Sequence, residues 1–232
     1  MSNSDRSLST GYDSEYHDRQ FLEPYKSTVL FCDWLKNIGA IGGVSVKICD
    51  LGCGKGANLY YMSNRFPNCE FIGLDIDSQL IRDGSDFLSK KSTSNCQLIV
   101  GDLFAAGSQF GSGAFDGIIS MQTLSWLPGY EMAIDSIVSM RPKWMAFTSL
   151  FYNGLIEAKT VISEFNLNNY EGDIKNSLYY NTYSLPLIQK YLFDRGYKNF
   201  LHTPFEMPID LPRNANGRMG TYTERTTDGR RL

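Results

Sequence analysis

Three carboxylates stand at intervals that suit the recognition of a nucleoside. Asp50 opens the run Asp50-Leu51-Gly52-Cys53-Gly54-Lys55-Gly56, Asp75 follows nineteen residues after Gly56, and Asp102 lies in Gly101-Asp102-Leu103-Phe104. Glycines at alternate positions allow a sharp turn with positive φ and a close approach of ligand to main chain. Amides at the start of the following helix can donate to an anionic or polar ligand. A carboxylate about twenty residues further on, at the end of the next strand, is placed to accept from ribose hydroxyls. A third carboxylate beside an apolar pair suits an adenine, accepting from its amino group while Leu103 or Phe104 covers the ring.

The elements that must position these groups alternate. An apolar, β-branched run over 44–51 predicts a buried strand, and 52–56 a turn. A helix is predicted over 57–66, with Leu59, Met62 and Phe66 on one face and Pro67 after it. Strands follow at 71–75, 97–101, 115–121 and 144–151, and helices at 78–90, 130–140 and 185–195. Asp77 is a natural N-cap for the 78–90 helix. Residues 105–114 are rich in glycine and serine and read as a loop in place of a helix. Strands that alternate with helices predict an α/β fold: a doubly wound, Rossmann-like sandwich with a mostly parallel sheet. Residues 1–232 then form a single domain. Its parts are an N-terminal helical lid (1–43), a cofactor-binding core (44–152), and a cap insert after the fifth strand with the C-terminal strands (153–232).

These motifs resemble those of class I S-adenosylmethionine-dependent methyltransferases. DLGCGKG resembles their glycine loop, GLDID their acidic motif, GDLF their adenine-contacting motif, and FDGIISMQTLSWL their fourth strand and the loop after it. The resemblance covers roughly 46–152. It implies S-adenosylmethionine as cofactor and a seven-stranded sheet with an antiparallel last strand. It also implies that Gly52, Gly54 and Gly56 pass beneath the methionine part and that Asp50 holds its amino group. Asp75 would bind the ribose diol, Ile76 pack on the adenine, Asp102 accept from the adenine amino group, and Gln122 border the methyl group. In the segment 21–26, Tyr25 and Lys26 are candidates to meet the cofactor carboxylate.

Two other uses of such a loop fit less well. A phosphate-binding P-loop needs Ser or Thr after Gly-Lys, where this chain has Gly56. A nicotinamide-binding fold prefers Gly-x-Gly-x-x-Gly over the Gly-x-Gly-x-Gly found here.

The acceptor side is less defined. Tyr152, Tyr170, Tyr179, Tyr180 and Tyr183, with Glu157 and Glu164, could line an acceptor pocket or simply pack a cap. No catalytic base emerges: His17 and His202 are the two histidines, and neither has a ligand-spaced partner, so no metal site is expected. A formal charge of −3 and a pI near 5.4 argue against a general grip on nucleic acid. The basic residues Arg213, Arg218, Arg225, Arg230 and Arg231 read as a solvated tail. The five cysteines read as free buried thiols. With no basic-then-apolar leader and no run of about twenty apolar residues, a cytoplasmic protein without membrane contact is expected. The reading is therefore methyl transfer to a small-molecule acceptor at oxygen or nitrogen, such as a sugar or a secondary metabolite. The alternative is a cofactor-binding regulatory or scaffolding protein without turnover. A sixth strand is expected within 198–211, and 221–232 offers only a weak seventh.

Overall fold

The computed structural model describes residues 14–165 and 174–205. The chain divides into units of residues 1–199 and 200–232, and of the second unit only residues 200–205 are described. Five strands form one parallel sheet in the order β3-β2-β1-β4-β5: β1 Lys47–Leu51, β2 Glu70–Asp75, β3 Cys96–Val100, β4 Gly117–Met121 and β5 Trp144–Thr148. The direction of winding reverses between β1 and β4, which is where ligands bind in sheets of this kind.

Alternation along β1 shows how both faces are covered. Ile48 joins a core with Phe31, Cys32 and Leu35 of α2 (Lys26–Asn37), Leu59 and Met62 of α3 (Ala57–Arg65), and Ile81 and Leu88 of α4 (Ser78–Lys90). Cys49 and Leu51 join the opposite core with Ala106 of α5 (Ala106–Phe110) and Ile137 of α6 (Glu131–Ser139). Successive strand residues point to opposite faces, so a run of apolar residues is what a sheet buried on both sides requires. All five residues of β4 are buried. At the opposite end from the glycine loop, Asp116 accepts from the Lys47 amide at 2.9 Å and pairs with Lys143 at 2.7 Å; the Lys143 ammonium holds its carboxyl below the usual range. Asp77 caps α4 as expected, accepting from the amides of Gln79 and Leu80.

The structure departs from the sequence-based expectation in four places. First, the crossover at 105–114 is not all loop. A 3₁₀ turn at Leu103–Ala105 leads into the short helix α5, and small side chains permit this: a Cβ on Gly107 would lie 1.8 Å from the Ser139 hydroxyl of α6. Second, the first strand begins at Lys47, because Val44 is exposed. Third, the fifth strand stops at Thr148, and β6 (Phe151–Tyr152) pairs instead with β9 (Tyr183–Ser184). Fourth, residues 198–205 carry no strand. Pro204 has no amide to donate to a ladder, which disfavours a strand there. Residues 206–211 and 221–232, with the five C-terminal arginines, lie outside the described residues.

The cap between β5 and α7 (Leu185–Phe193) holds an antiparallel pair, β7 (Val161–Phe165) and β8 (Ile174–Tyr179). Before the sheet, α1 (Ser14–Leu22) packs on α3 and α4. Phe21 stacks on Phe87 with ring centroids 3.9 Å apart.

Gly84 of α4 lies against the glycine loop so closely that a Cβ would stand 2.2 Å from the Lys55 carbonyl oxygen. Ala ordinarily gains about 1 kcal/mol over Gly inside a helix. Here the overlap with backbone outweighs that gain. Gly84→Ala is expected to destabilise the chain by about 1–3 kcal/mol, measured as a lower urea midpoint. An unchanged or higher midpoint would show that α4 can move off the loop freely.

Candidate active site

The glycine loop turns at the end of β1 and is sewn to β2. The amides of Gly52 and Cys53 both donate to the Leu74 carbonyl, at 2.7 and 3.1 Å, and that of Gly56 donates to the Cys53 carbonyl at 2.9 Å. The Gly54 amide donates to one carboxylate oxygen of Asp75 at 2.8 Å, while the Asp77 amide donates to the other at 2.9 Å. These four loop amides are thus engaged within the protein, unlike the free donors the sequence suggests. Gly52, Gly54 and Gly56 have φ of 82°, 56° and 76°. Two of these glycines also meet neighbours: a Cβ on Gly52 would lie 2.4 Å from Thr123 Oγ1, and one on Gly56 2.7 Å from Leu98 Cδ2. Asp75 is thus held in place by two amides, one on each carboxylate oxygen.

Asp50 is the residue under strain. It is 1% exposed, and neither carboxylate oxygen has a hydrogen-bond partner among the described residues. Burial, then the charge of Asp75, push its carboxyl up to about 8; the Met121 amide opposes this weakly without meeting either oxygen in hydrogen-bond geometry. A buried acceptor of this kind fits the amino group of an amino-acid ligand, whose three donors would satisfy it.

Ile76 and Val100 stand at the ends of neighbouring strands, 44% and 47% exposed, as apolar side chains that a planar ring could cover. Asp102 caps the 3₁₀ turn by accepting from the Phe104 amide at 2.9 Å; Phe104 is half-buried, whereas Leu103 packs into the core beneath. Gln122, directly after β4, is exposed and has φ of 60°, a conformation in which a non-glycine residue is uncommon. Its amide is tied to the Thr148 carbonyl at 2.8 Å and to the Thr148 hydroxyl at 3.0 Å. Asp50, Asp75, Ile76, Asp102, Phe104 and Gln122 thus gather at the carboxyl ends of β1 to β4. Tyr25 sits apart in role: it precedes α2, half-buried, and its carbonyl accepts from Val29, while Lys26 is exposed.

Sequence reasoning overlooked Lys55. Its ammonium is 5% exposed and pairs with Asp18 of α1 at 2.8 Å and Asp83 of α4 at 3.6 Å, tying the N-terminal helix to the loop. Both partners are remote in sequence, so spacing offered no signal. Thr123 was missed for the same reason; its hydroxyl donates to the Gly52 carbonyl at 3.2 Å.

The tyrosines divide. Tyr183 is fully buried and bonds the Leu124 and Leu127 carbonyls at 3.1 and 3.2 Å, so it anchors the cap and does not line a pocket. Asn181, also fully buried, donates to the Leu127 carbonyl and accepts from the Thr160 amide. Tyr152 and Tyr180 are exposed, and the Tyr180 ring lies 5.1 Å from that of Trp126; Tyr179 is half-buried. Glu157 accepts from the Ser184 amide, and His202 is exposed. Tyr170 and the side chains of Glu164 and His17 lie outside the described residues.

A folded-state carboxyl raised to about 8 binds a proton that the unfolded chain releases near 4, so stability is lost as pH rises between the two values. Asp50→Asn removes that loss. The variant without ligand is expected to be more stable than the parent at neutral pH, on the order of 2–4 kcal/mol. The difference should grow from about pH 4 to about pH 8 and level off beyond. Urea unfolding across that range checks it; a less stable variant at every pH would mean that the carboxylate is satisfied in the folded chain.

Residues 44–179 match the family model described as Methyltransferase domain, more than half of the chain. An uncharacterized protein of Rickettsia prowazekii (strain Madrid E) is 26% identical over 150 residues, covering 60% of this chain and 58% of that one. The chain therefore spans less than two thirds of that relative's length. Among solved structures, PKMT2 from Rickettsia typhi in complex with AdoHcy is similar at 25% identity, covering 48% of this chain and 22% of that one, with a TM-score of 0.39. The PH0226 protein from Pyrococcus horikoshii OT3 is similar at 23% identity, covering 59% and 60%, with a TM-score of 0.43. With the family model covering the sheet, the glycine loop and the cap hairpin, the chain belongs to the methyltransferase-domain family.

Proposed function

We propose that this chain transfers a methyl group from S-adenosylmethionine to a small molecule, at oxygen or nitrogen. The observation that carries the acceptor reading is the cap. Its strand ends are tied to the loops after β4 and β5: the Asn181 amide donates to the Ser125 carbonyl at 2.8 Å and the Tyr183 amide to the Leu150 carbonyl at 3.0 Å. The hydroxyls of Ser125 and Ser149 meet at 2.6 Å. In this reading the half-buried ring of Trp126 and the exposed ring of Tyr180, 5.1 Å apart, offer the surface on which a flat or sugar-like acceptor would stack. An acidic chain with pI near 5.4 favours such an acceptor over nucleic acid.

S-adenosylmethionine supplies an activated methyl group, so the protein's task is alignment and exclusion of water. In this reading Asp50 receives the amino group, Asp75 the ribose hydroxyls, and Asp102 the adenine amino group. Ile76 and Phe104 flank the adenine ring, and Gln122 borders the reacting methyl. Leu103 supports this surface from the core, and Tyr25 with α1 covers the methionine end. No side chain is assigned as a base. We further propose that the whole chain acts as one domain of lid, core and cap, in the cytoplasm. Among the described residues no helix is long and apolar enough to cross a membrane.

Calorimetric titration with S-adenosylmethionine, followed by mass analysis of a panel of hydroxyl and amine small molecules, tests the function. A product heavier by one methyl group supports it. Cofactor binding with no product across the panel would favour a regulatory or scaffolding protein. Asp75→Ala is expected to weaken cofactor binding at least tenfold, about 1.4 kcal/mol or more, because it removes both the ribose acceptor and the anchor of Gly54. Trp126→Ala is expected to raise the acceptor KM about tenfold while leaving the cofactor Kd unchanged. A changed cofactor Kd with unchanged KM would remove Trp126 from the acceptor side.

A further inference from the structure

The groups coupled electrostatically to Asp50 are one acid, three thiols and one amide. Asp75 ends β2, Cys53 lies in the loop, Cys49 precedes Asp50 on β1, Cys96 begins β3, and Met121 ends β4. The nearby cation, Lys55, is engaged with Asp18 and Asp83. In register, Asp50 sits between Gly73 of β2 and Ile119 of β4, in the middle of the sheet. A carboxylate enclosed there with both oxygens unpaired is far costlier than the neutral acid. The site is nevertheless complementary to an ammonium, because an arriving cation would repay ionisation with charge-assisted hydrogen bonds.

Resting on the cofactor site proposed above, we infer that Asp50 is a neutral acid in the free protein and gives up its proton when the cofactor's ammonium arrives, so that the site selects amino-acid-bearing ligands and couples their binding to proton release. The O–H bond of Asp50 breaks, its electron pair stays on the carboxylate oxygen, the proton passes to the buffer, and an ion pair with the ammonium forms. Burial and Asp75 raise the free carboxyl to about 8, consistent with protonation at neutral pH. Below that value the free protein holds a proton that the complex lacks, so affinity rises with pH, roughly tenfold per unit. Above about pH 8 the free carboxyl is itself ionised, and the gain in affinity levels off. A nucleoside without the amino-acid part, such as 5′-methylthioadenosine, brings no cation and leaves Asp50 protonated.

The test is calorimetry of the full chain near pH 6.5 in buffers of different ionisation enthalpy, with S-adenosylhomocysteine as the unreactive probe. Release of about one proton per ligand is expected, with none for 5′-methylthioadenosine. Asp50→Asn should bind S-adenosylhomocysteine at least tenfold more weakly, with no proton release and a flat pH dependence of Kd. Binding of S-adenosylhomocysteine without proton exchange, or equal exchange with both ligands, overturns the inference while leaving the cofactor reading intact. Unchanged exchange in Asp50→Asn overturns it as well. Failure of the folded protein to bind either ligand overturns the cofactor reading and the inference together. The comparison of the two ligands on the parent protein decides the matter even if the variant does not fold.

Discussion

Two backbone amides, those of Gly54 and Asp77, converge on the carboxylate of Asp75. That convergence holds the glycine loop against the end of β2 and fixes where α3 and α4 begin. With the loop closed in this position, Cys53 is buried beside Gly73, and Asp50 is sealed from water behind it. Thr123 then reaches the loop from the β4 side, and Lys55 reaches α1 and α4 from the other. Each contact depends on the loop's path, and the path depends on charge-assisted bonds that a neutral side chain would make less strongly.

Stability is given up at two places on one edge of the sheet. An enclosed carboxyl without partners and an exposed glutamine at positive φ both cost free energy. Both stand at the carboxyl ends of adjacent central strands, where the sheet order reverses. The surrounding core is apolar and covered on both faces, so the cost is borne by packing elsewhere. The cap follows a different principle. Ser125, Asn181 and Tyr183 fasten it through hydrogen bonds to backbone carbonyls and amides, which fix orientation more sharply than apolar contact does.

Much of the core was legible in the residue pattern. The strand, glycine turn and helix at 47–65, and the capped helix at Ser78–Lys90, are local units whose periodicity and end signals lie within a few residues of one another. The carboxylates Asp50, Asp75 and Asp102 were legible too, because a parallel sheet brings the ends of successive strands to one edge. The helix at Ala106–Phe110 was not, since it is short, and small residues hide its periodicity.

By itself, then, the sequence determined the α/β alternation, the glycine loop and the identity of the groups gathered at its mouth. Only the tertiary structure decided that the loop's amides are used internally, that Asp50 is enclosed without a partner, and that Lys55 fastens α1. It also made Tyr183 an anchor and left Tyr180 on the surface, although the two lie in one short run. The reason is range: strand and helix periodicity is written over a few neighbouring residues, whereas burial and pairing join positions tens of residues apart and exist only once the sheet has closed around them.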